Sequence, residues 1–496
     1  MSAPLPAALY TALQTRELDA RQIASGTSGF TLMQRAAQAA WLAMYRHWTQ
    51  ADQVTVLAGR GNNAGDGYLI ACMAQRAGWQ VQVWALDDPQ SLTSDATLAF
   101  QEAVAAGVSI LPWRADALLQ GVIVDALLGT GLVGEVQGNY AEAIAAINAS
   151  GLPVLAVDVP SGLCADTGQV LGIAVKASLT VSFIGLKIGL FTGQGPDYIG
   201  SLEFDDLQVN PEVLTHLEPR ALRLVEPHVP SLTGRLPTAH KGEFGHLLVV
   251  GGDLGMGGAA LMTAEAGLRT GAGMVLLATR PEHVAASLVR QPEMLCVGLE
   301  SSYALESLIG RSSVVVVGPG LGQEPWGRSL LSLIARQPIP QVWDADALNL
   351  LASGAAWIPS HSLITPHPGE AARLLDCSVA EVQANRPAAA QALAKRYDCV
   401  AILKGAGTLI AEPDGRLMLC DLGHPAMASA GLGDVLAGTL GGLLAQGMSA
   451  FEAACLGVWL HAVAGTRAGA QGRGLAATDL IPLIRQALEE HSPCRR

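Results

Sequence analysis

The stretch Ala430-Gly431-Leu432-Gly433-Asp434 carries residue types suited to phosphoryl chemistry. Gly431 and Gly433 let the backbone approach a ligand closely. An apolar helical pattern (Val435, Leu436, Leu440, Leu443, Leu444) follows and aims its free N–H groups at whatever lies in front. Such a helix start is an anion site that suits the terminal phosphate of a nucleotide. Asp434 at its lip is placed to take a proton from a hydroxyl that approaches that phosphate. Alone, the motif would equally describe a capping Asp after a flexible loop, so its surroundings decide.

Those surroundings supply further candidates. Lys404, delivered by the apolar run Val400–Leu403 into Gly405, Ala406, Gly407 and Thr408, suits phosphate or sugar contacts, although a lone Lys-Gly turn is most often solvated surface. His367 lies between two prolines in Thr365-Pro366-His367-Pro368-Gly369-Glu370, held for a substrate contact or for a structural hydrogen bond. Asp344 and Asp346 fit either a metal or a pairing at a strand end. In the first half, Asn62, Asn63 and Asp66 follow one strand-like run, Asp125 with Gly129–Glu135 a second, and Asp158 with Ser161 a third. Asn63, Asp125 and Ser161 offer neutral or singly charged oxygens that suit a monovalent cation. Without a carboxylate cluster, a tight divalent site is disfavoured. No His/Cys constellation points to zinc, and no Gly-x-Ser-x-Gly elbow to a serine hydrolase.

The elements that must hold these residues read as alternating strands and helices. Leu32, Ala36, Ala40, Met44 and Trp48 predict an amphipathic helix. Strands are predicted at Val54–Gly59, Val81–Leu86, Val122–Leu128, Val154–Val159 and Leu179–Ile184, the first ending in a glycine loop through Gly67 with a helix opening at Leu69. The pattern restarts at His246–Gly252, passes Met274–Ala278, Val314–Val317 and Val400–Leu403, and ends in a long helical tail. Alternation of this kind predicts an α/β fold with mostly parallel sheets, whose ligands bind beyond the carboxyl ends of the strands. Proline-rich residues 208–240 place a domain boundary near 215–228, giving domains 1–218 and 225–496.

Composition narrows the partners. A net charge of −13 argues against nucleic-acid and anionic-membrane partners. Eight scattered cysteines without a Cys-x-x-Cys pair read as buried small hydrophobes of a reducing, cytoplasmic compartment. The first residues lack a signal-peptide pattern, and no run of eighteen apolar residues predicts a membrane span.

Taken together, residues 240–490 resemble the ribokinase-like superfamily. Within it, Gly318–Gly322, Asp344–Leu348, Thr365–Glu370, Leu403–Thr408 and Ala430–Leu436 are similar to the ADP-dependent NAD(P)H-hydrate dehydratases. Residues 10–215 resemble the matching NAD(P)H-hydrate epimerases, through Gly61–Asp66, Asp125–Gly131 and Val157–Gly162. Ala64 and Ala426 depart from the family's usual glycines. The resemblance implies a Rossmann-like first domain that interconverts the R and S epimers of hydrated NADH and NADPH (NADHX and NADPHX). It implies a second domain that uses ADP, with Mg2+, to dehydrate the S form to NAD(P)H, AMP and phosphate. It implies hydrate contacts at Asn62, Asn63, Ala64, Gly65, Asp66, Gly129, Thr130, Gly131, Leu132, Val133, Gly134, Glu135, Tyr140 and Asp158, with Asp158 in acid–base work. K+ would sit on Asn63, Asp125 and Ser161. In the second domain the hydrate would meet Ala259, Gly322, His367 and Asp434, and ADP would meet Lys404, Gly405, Ala406, Gly407, Thr408 and Gly433. A homo-oligomer is also implied. The rival is a ribokinase-like kinase of a small-molecule hydroxyl with an accessory nucleotide-sensing domain.

Overall fold

The computed structural model describes residues 4–92 and 94–495, so Met1 to Ala3, part of the stretch read for a leader, lie outside the described residues. The chain forms two compact units, Met1–Leu222 and Arg223–Arg496.

In the first unit, β1 (Ala8–Tyr10) is followed by β2 (Gln53–Ala58), β3 (Gln80–Ala85), β4 (Ser109–Pro112), β5 (Val122–Ala126), β6 (Val154–Val157) and β7 (Leu179–Phe183). The short β8 (Leu186–Lys187), then β9 (Ser201–Asp205) and β10 (Ala221–Arg223), complete it. Seven strands form a parallel sheet in the order β4-β3-β2-β5-β6-β7-β9, and the order reverses between β2 and β5. The valines and leucines of the central strands β2, β5 and β6 are buried on both faces, as a parallel sheet requires. Helices Gly29–His47, Asn62–Arg76 and Asp95–Ala105 pack one face around Ala36, Ala40, Met44 and Ile70. Helix Gly138–Ala149 covers the other through Ala143, Ile144 and Ile147.

The second unit carries β11 (His246–Val250), β12 (Met274–Thr279), β13 (Leu295–Gly298), β14 (Val314–Val317), β15 (Gln341–Trp343), β16 (Leu363–Ile364), β17 (Val400–Leu403), β18 (Thr408–Ala411) and β19 (Leu417–Cys420). They run in the order β13-β12-β11-β14-β15-β16-β17-β18-β19, with β18 antiparallel to both β17 and β19 and the other neighbours parallel.

One helix start differs from the sequence expectation. The helix after β2 begins at Asn62, seven residues before Leu69, so the supposed glycine loop forms its first turns. Gly65 and Gly67 are there because the helix lies against its neighbours. A Cβ on Gly65 would fall 2.5 Å from Met33 Sδ, and one on Gly67 2.5 Å from the Ala126 Cβ. The long tail is three helices, Leu432–Ala445, Ala450–Gly469 and Ala477–His491. The first buries Gly438 and Gly441, where a Cβ would meet the Thr263 carbonyl oxygen at 2.0 Å and Val316 Cγ2 at 2.5 Å. Among the described residues no helix is long and apolar enough to cross a membrane, and no cysteine is in a disulfide.

Candidate active sites

In the second unit the site is built at the carboxyl ends of β15, β16 and β17. The chain leaves β15 at Asp344, whose backbone oxygen meets Gly318 so closely that a Cβ there would lie at 1.8 Å. That contact, with φ of 125° at Gly318, requires glycine. Asp344 is buried, accepts from Lys404 Nζ at 2.8 Å and from Thr365 Oγ1 at 2.7 Å, and so belongs to an ion pair at the cleft floor. Asp346 is different. It accepts from the Gly322 N–H at 2.9 Å and pins that glycine loop. The two aspartates left open by sequence therefore part company, one facing Lys404 and one tying down backbone.

His367 caps helix Pro368–Leu375. Its Nδ1 accepts from the N–H groups of Gly369 and Glu370 at 3.0 and 3.3 Å, while Glu370 accepts from the His367 N–H at 2.8 Å. An acceptor Nδ1 leaves the proton on Nε2. Burial and the cations Lys404 and Arg373 hold His367 below its ordinary range, in keeping with the neutral ring. The same burial pushes the Glu370 carboxyl up to about 7, against the pull of Lys404.

Asp434 occupies the third position of helix Leu432–Ala445, which starts after Gly431 in the left-handed conformation. Gly431 has little space as well: a Cβ would stand 2.9 Å from Met262 Cε. Burial pushes the Asp434 carboxyl up to about 7, with Asp344 adding to the shift and Lys404 opposing it. Burial opposes the charge on Lys404, but Asp344, Glu370 and Asp434 outweigh it and raise its pKa. Asp344, His367, Glu370, Lys404, Gly431, Gly433 and Asp434 line one cleft of about 430 Å3. Arg386, which sequence reasoning passed over, supports the Lys404 turn from inside: its Nη2 donates to the Lys404 carbonyl at 3.2 Å, and it is 2 % exposed. A basic residue in the alanine-rich helix Arg386–Tyr397 was the available signal. Ala259 lies in helix Gly257–Thr270, whose Thr263 hydroxyl is 3.0 Å from the Asp434 carbonyl oxygen.

In the first unit, the Asn63, Asp125 and Ser161 side chains meet around the Leu128 backbone. Ser161 Oγ donates to Asp125 Oδ1 at 2.6 Å, the Ser161 N–H to Oδ2 at 2.8 Å, and Asn63 Nδ2 to the Leu128 carbonyl at 3.1 Å. Asp125 is fully buried with no cationic side chain bonded to it, and burial pushes its carboxyl up to about 6 against these hydrogen bonds. Asp158, with φ of 65°, follows directly on β6. Its Oδ1 accepts from Ser182 Oγ and the Phe183 N–H, both at 3.1 Å, and from the buried Lys187 ammonium. Burial raises Asp66 well above the carboxylate range, with Asp158 and Asp19 adding to the effect.

Among the other expected contacts, Ala64 is 0 % exposed and Gly65 is buried, so any contact they make is through the backbone. Val133, in the loop Gly129–Glu135, is 94 % exposed. The Tyr140 hydroxyl is spent on Asp87, which follows β3. Lys187 was missed by sequence reasoning; its signal is a lone charge in the apolar run from Phe183 to Leu190.

A family model described as NAD(P)H-hydrate dehydratase matches residues 247–486. One described as the N-terminus of YjeF-related proteins matches residues 29–189. The chain is 45 % identical to the bifunctional NAD(P)H-hydrate repair enzyme Nnr of Coxiella burnetii over 486 residues, covering 96 % of this chain and 98 % of that protein. It is 42 % identical to the same enzyme of Escherichia coli, covering 93 % and 90 %. Among solved structures it resembles a ribokinase-like superfamily protein of Enterococcus faecalis (TM-score 0.50, 26 % identity, 54 % of this chain and 94 % of that one). It also resembles the ADP/ATP-dependent NAD(P)H-hydrate dehydratase of Bacillus subtilis co-crystallised with ATP and Mg2+ (TM-score 0.48, 26 % identity, 54 % and 98 %). A Rossmann-like unit ahead of a ribokinase-like one, with full-length relatives of that name, settles the family: the chain belongs to the bifunctional NAD(P)H-hydrate repair enzymes, which join an epimerase domain to a dehydratase domain.

Proposed function

We propose that the second unit dehydrates the S form of hydrated NADH or NADPH at the Asp434 cleft, using ADP, and that the first unit supplies that form by epimerising R and S at Asp158. The observation that carries the reading is Asp434 itself. It is an acid in the first turn of a helix, its carboxyl pushed up to about 7 by burial, and it shares one cleft with Lys404 and with Gly431 and Gly433 at the helix start.

Asp434 takes the proton of the ring hydroxyl while that oxygen accepts the terminal phosphoryl group of ADP, and AMP leaves. The electron pair of the ring nitrogen then expels phosphate, a far better leaving group than hydroxide, and loss of a proton from the adjacent ring carbon to the departing phosphate restores the double bond of NAD(P)H. The helix N-terminus and Lys404 compensate the charge that gathers on the phosphoryl oxygens. Gly405 to Thr408 and Gly433 are the nucleotide contacts in this reading, and Ala259, Gly322 and His367 those of the hydrate. Mg2+ would offset phosphate charge and needs only one or two carboxylates from the protein. Asp344 is committed to Lys404 and Thr365, so Glu370 is the cleft carboxylate that would hold it.

At the first site the hydrate is a hemiaminal. Asp158 takes its hydroxyl proton, the ring C–N bond breaks with the electron pair passing to nitrogen, and an aldehyde forms. Rotation and reclosure on the other face return the proton from Asp158 to oxygen. The carboxylate, hydroxyl, amide and carbonyl oxygens of Asp125, Ser161, Asn63 and Leu128 fit a monovalent cation such as K+, since Asp125 is a buried charge with no cationic side chain bonded to it. That ion would fix the loop carrying Gly129 to Glu135 beside the hydrate. A homo-oligomer completes the proposal.

The test is to give the full-length protein a mixture of both hydrate epimers with ADP and K+ and to resolve them by chromatography. Loss of both epimers with release of AMP is expected from wild type. Loss of the S form alone is expected from Asp158→Ala. Equal loss of R in that variant contradicts the assignment of Asp158.

A further inference from the structure

We propose that Lys187 is a positioning residue of the epimerisation centre: its buried ammonium anchors one oxygen of the Asp158 carboxylate and holds it in one orientation, so that the base is set before the hydrate arrives. The inference rests on the reading of Asp158 as the epimerase base.

Lys187 is 0 % exposed, at the end of the two-residue strand Leu186–Lys187, which lies beside Tyr10 of β1. Each ammonium proton has an acceptor. Nζ donates to Asp158 Oδ1, to the Phe183 carbonyl at 2.9 Å and to Ser182 Oγ at 3.3 Å. A lysine whose three donors are spent inside the protein does not reach a substrate. It therefore acts through Asp158. The same oxygen of Asp158 also accepts from Ser182 Oγ and the Phe183 N–H, while among the described residues no hydrogen bond engages its Oδ2. Asp158 is part-exposed, with 19 % of its side chain open, whereas its cation is sealed beneath it. One carboxylate oxygen is thus anchored and the other is left for the incoming hydroxyl.

The neighbouring charges agree. Asp19, on helix Ala12–Ala24, interacts electrostatically with both Lys187 and Asp158, and Asp66, on helix Asn62–Arg76, with Asp158 and Asp19. Burial pushes Asp19 up to about 6, with Lys187 opposing and Asp158 adding, and burial raises Asp66 with help from both other aspartates. Among the described residues, Asp158 is the carboxylate that pairs with the Lys187 ammonium.

The experiment uses full-length Lys187→Ala with the R epimer and excess ADP, so that the second unit removes S as it forms. Turnover is expected to fall by about 100-fold at neutral pH. Added ethylammonium, small enough for the vacated space, is expected to restore rate in proportion to its protonated form, a response that a merely structural loss would not show. A folded variant that the amine does not rescue overturns the proposal. Should Lys187→Ala be unstable, Lys187→Ala/Asp158→Asn, relieved of the unpaired charge, is expected to recover wild-type melting. Failure to recover marks Lys187 as a packing residue and overturns the proposal. Retained epimerisation in Asp158→Ala would instead sink the parent reading, so the two failures are distinguishable.

Discussion

The Lys404 ammonium and the Asp344 carboxylate meet at 2.8 Å, with the carboxylate 2 % exposed and the ammonium 20 % exposed. The pair lies beneath Gly433, where a Cβ would be 3.2 Å from Lys404 Nζ and 3.5 Å from Asp344 Oδ2. Lys404 is the cation that opposes the upward shifts of both Asp434 and Glu370. Lys404→Met should therefore weaken ADP binding and also move the acid limb of dehydration to higher pH. A KM for ADP that rises with no change in the pH profile would limit Lys404 to phosphate contact.

Asp434 must be ionised to act as a base. With its carboxyl near 7, the dehydration rate should climb as pH rises through about 7 and level off above it. Asp434→Asn should lose about 100-fold in turnover, the lower end for removal of a general base, while R-to-S conversion continues. Steady-state rates with each purified epimer check both statements.

Asp125 holds its site from within the interior. Asp125→Asn keeps the shape and removes the charge that a monovalent cation would balance. Epimerisation by wild type should depend on K+ and fall when a bulky organic cation replaces it, and the variant should lose that dependence. A wild-type rate indifferent to K+ removes the cation from the first site.

Gly438 reports on packing rather than chemistry. Alanine there gains about 1 kcal/mol of helix propensity, but its Cβ would sit 2.0 Å from the backbone oxygen of Thr263, which cannot rotate away. Gly438→Ala should be less stable by about 1–3 kcal/mol, read as a lower melting transition of the second unit.

Much of the architecture was legible because parallel strands buried on both faces write themselves as apolar runs: Val314 to Val317 and Val122 to Val124 are examples. Glycines were harder. Gly65 and Gly67 spell a phosphate loop in sequence yet serve helix packing, and only the distances to Met33 and Ala126 tell the two uses apart. Asp344 and Asp346, two residues apart, could not be separated until Lys404 and the Gly322 N–H were seen to take one each. Lys187 and Arg386 were invisible for a shared reason. A buried cation is defined by partners distant in sequence or by backbone carbonyls, and neither leaves a spacing to read.

The most direct measurement is the return of reduced-nicotinamide absorbance when purified S-form NADHX is mixed with the full-length protein and ADP, with AMP and phosphate quantified in the same samples. The account predicts one AMP and one phosphate for each NADH restored in wild type, and neither above background in Asp434→Asn. A stable phosphorylated product, or absorbance that returns without nucleotide consumption, would contradict it.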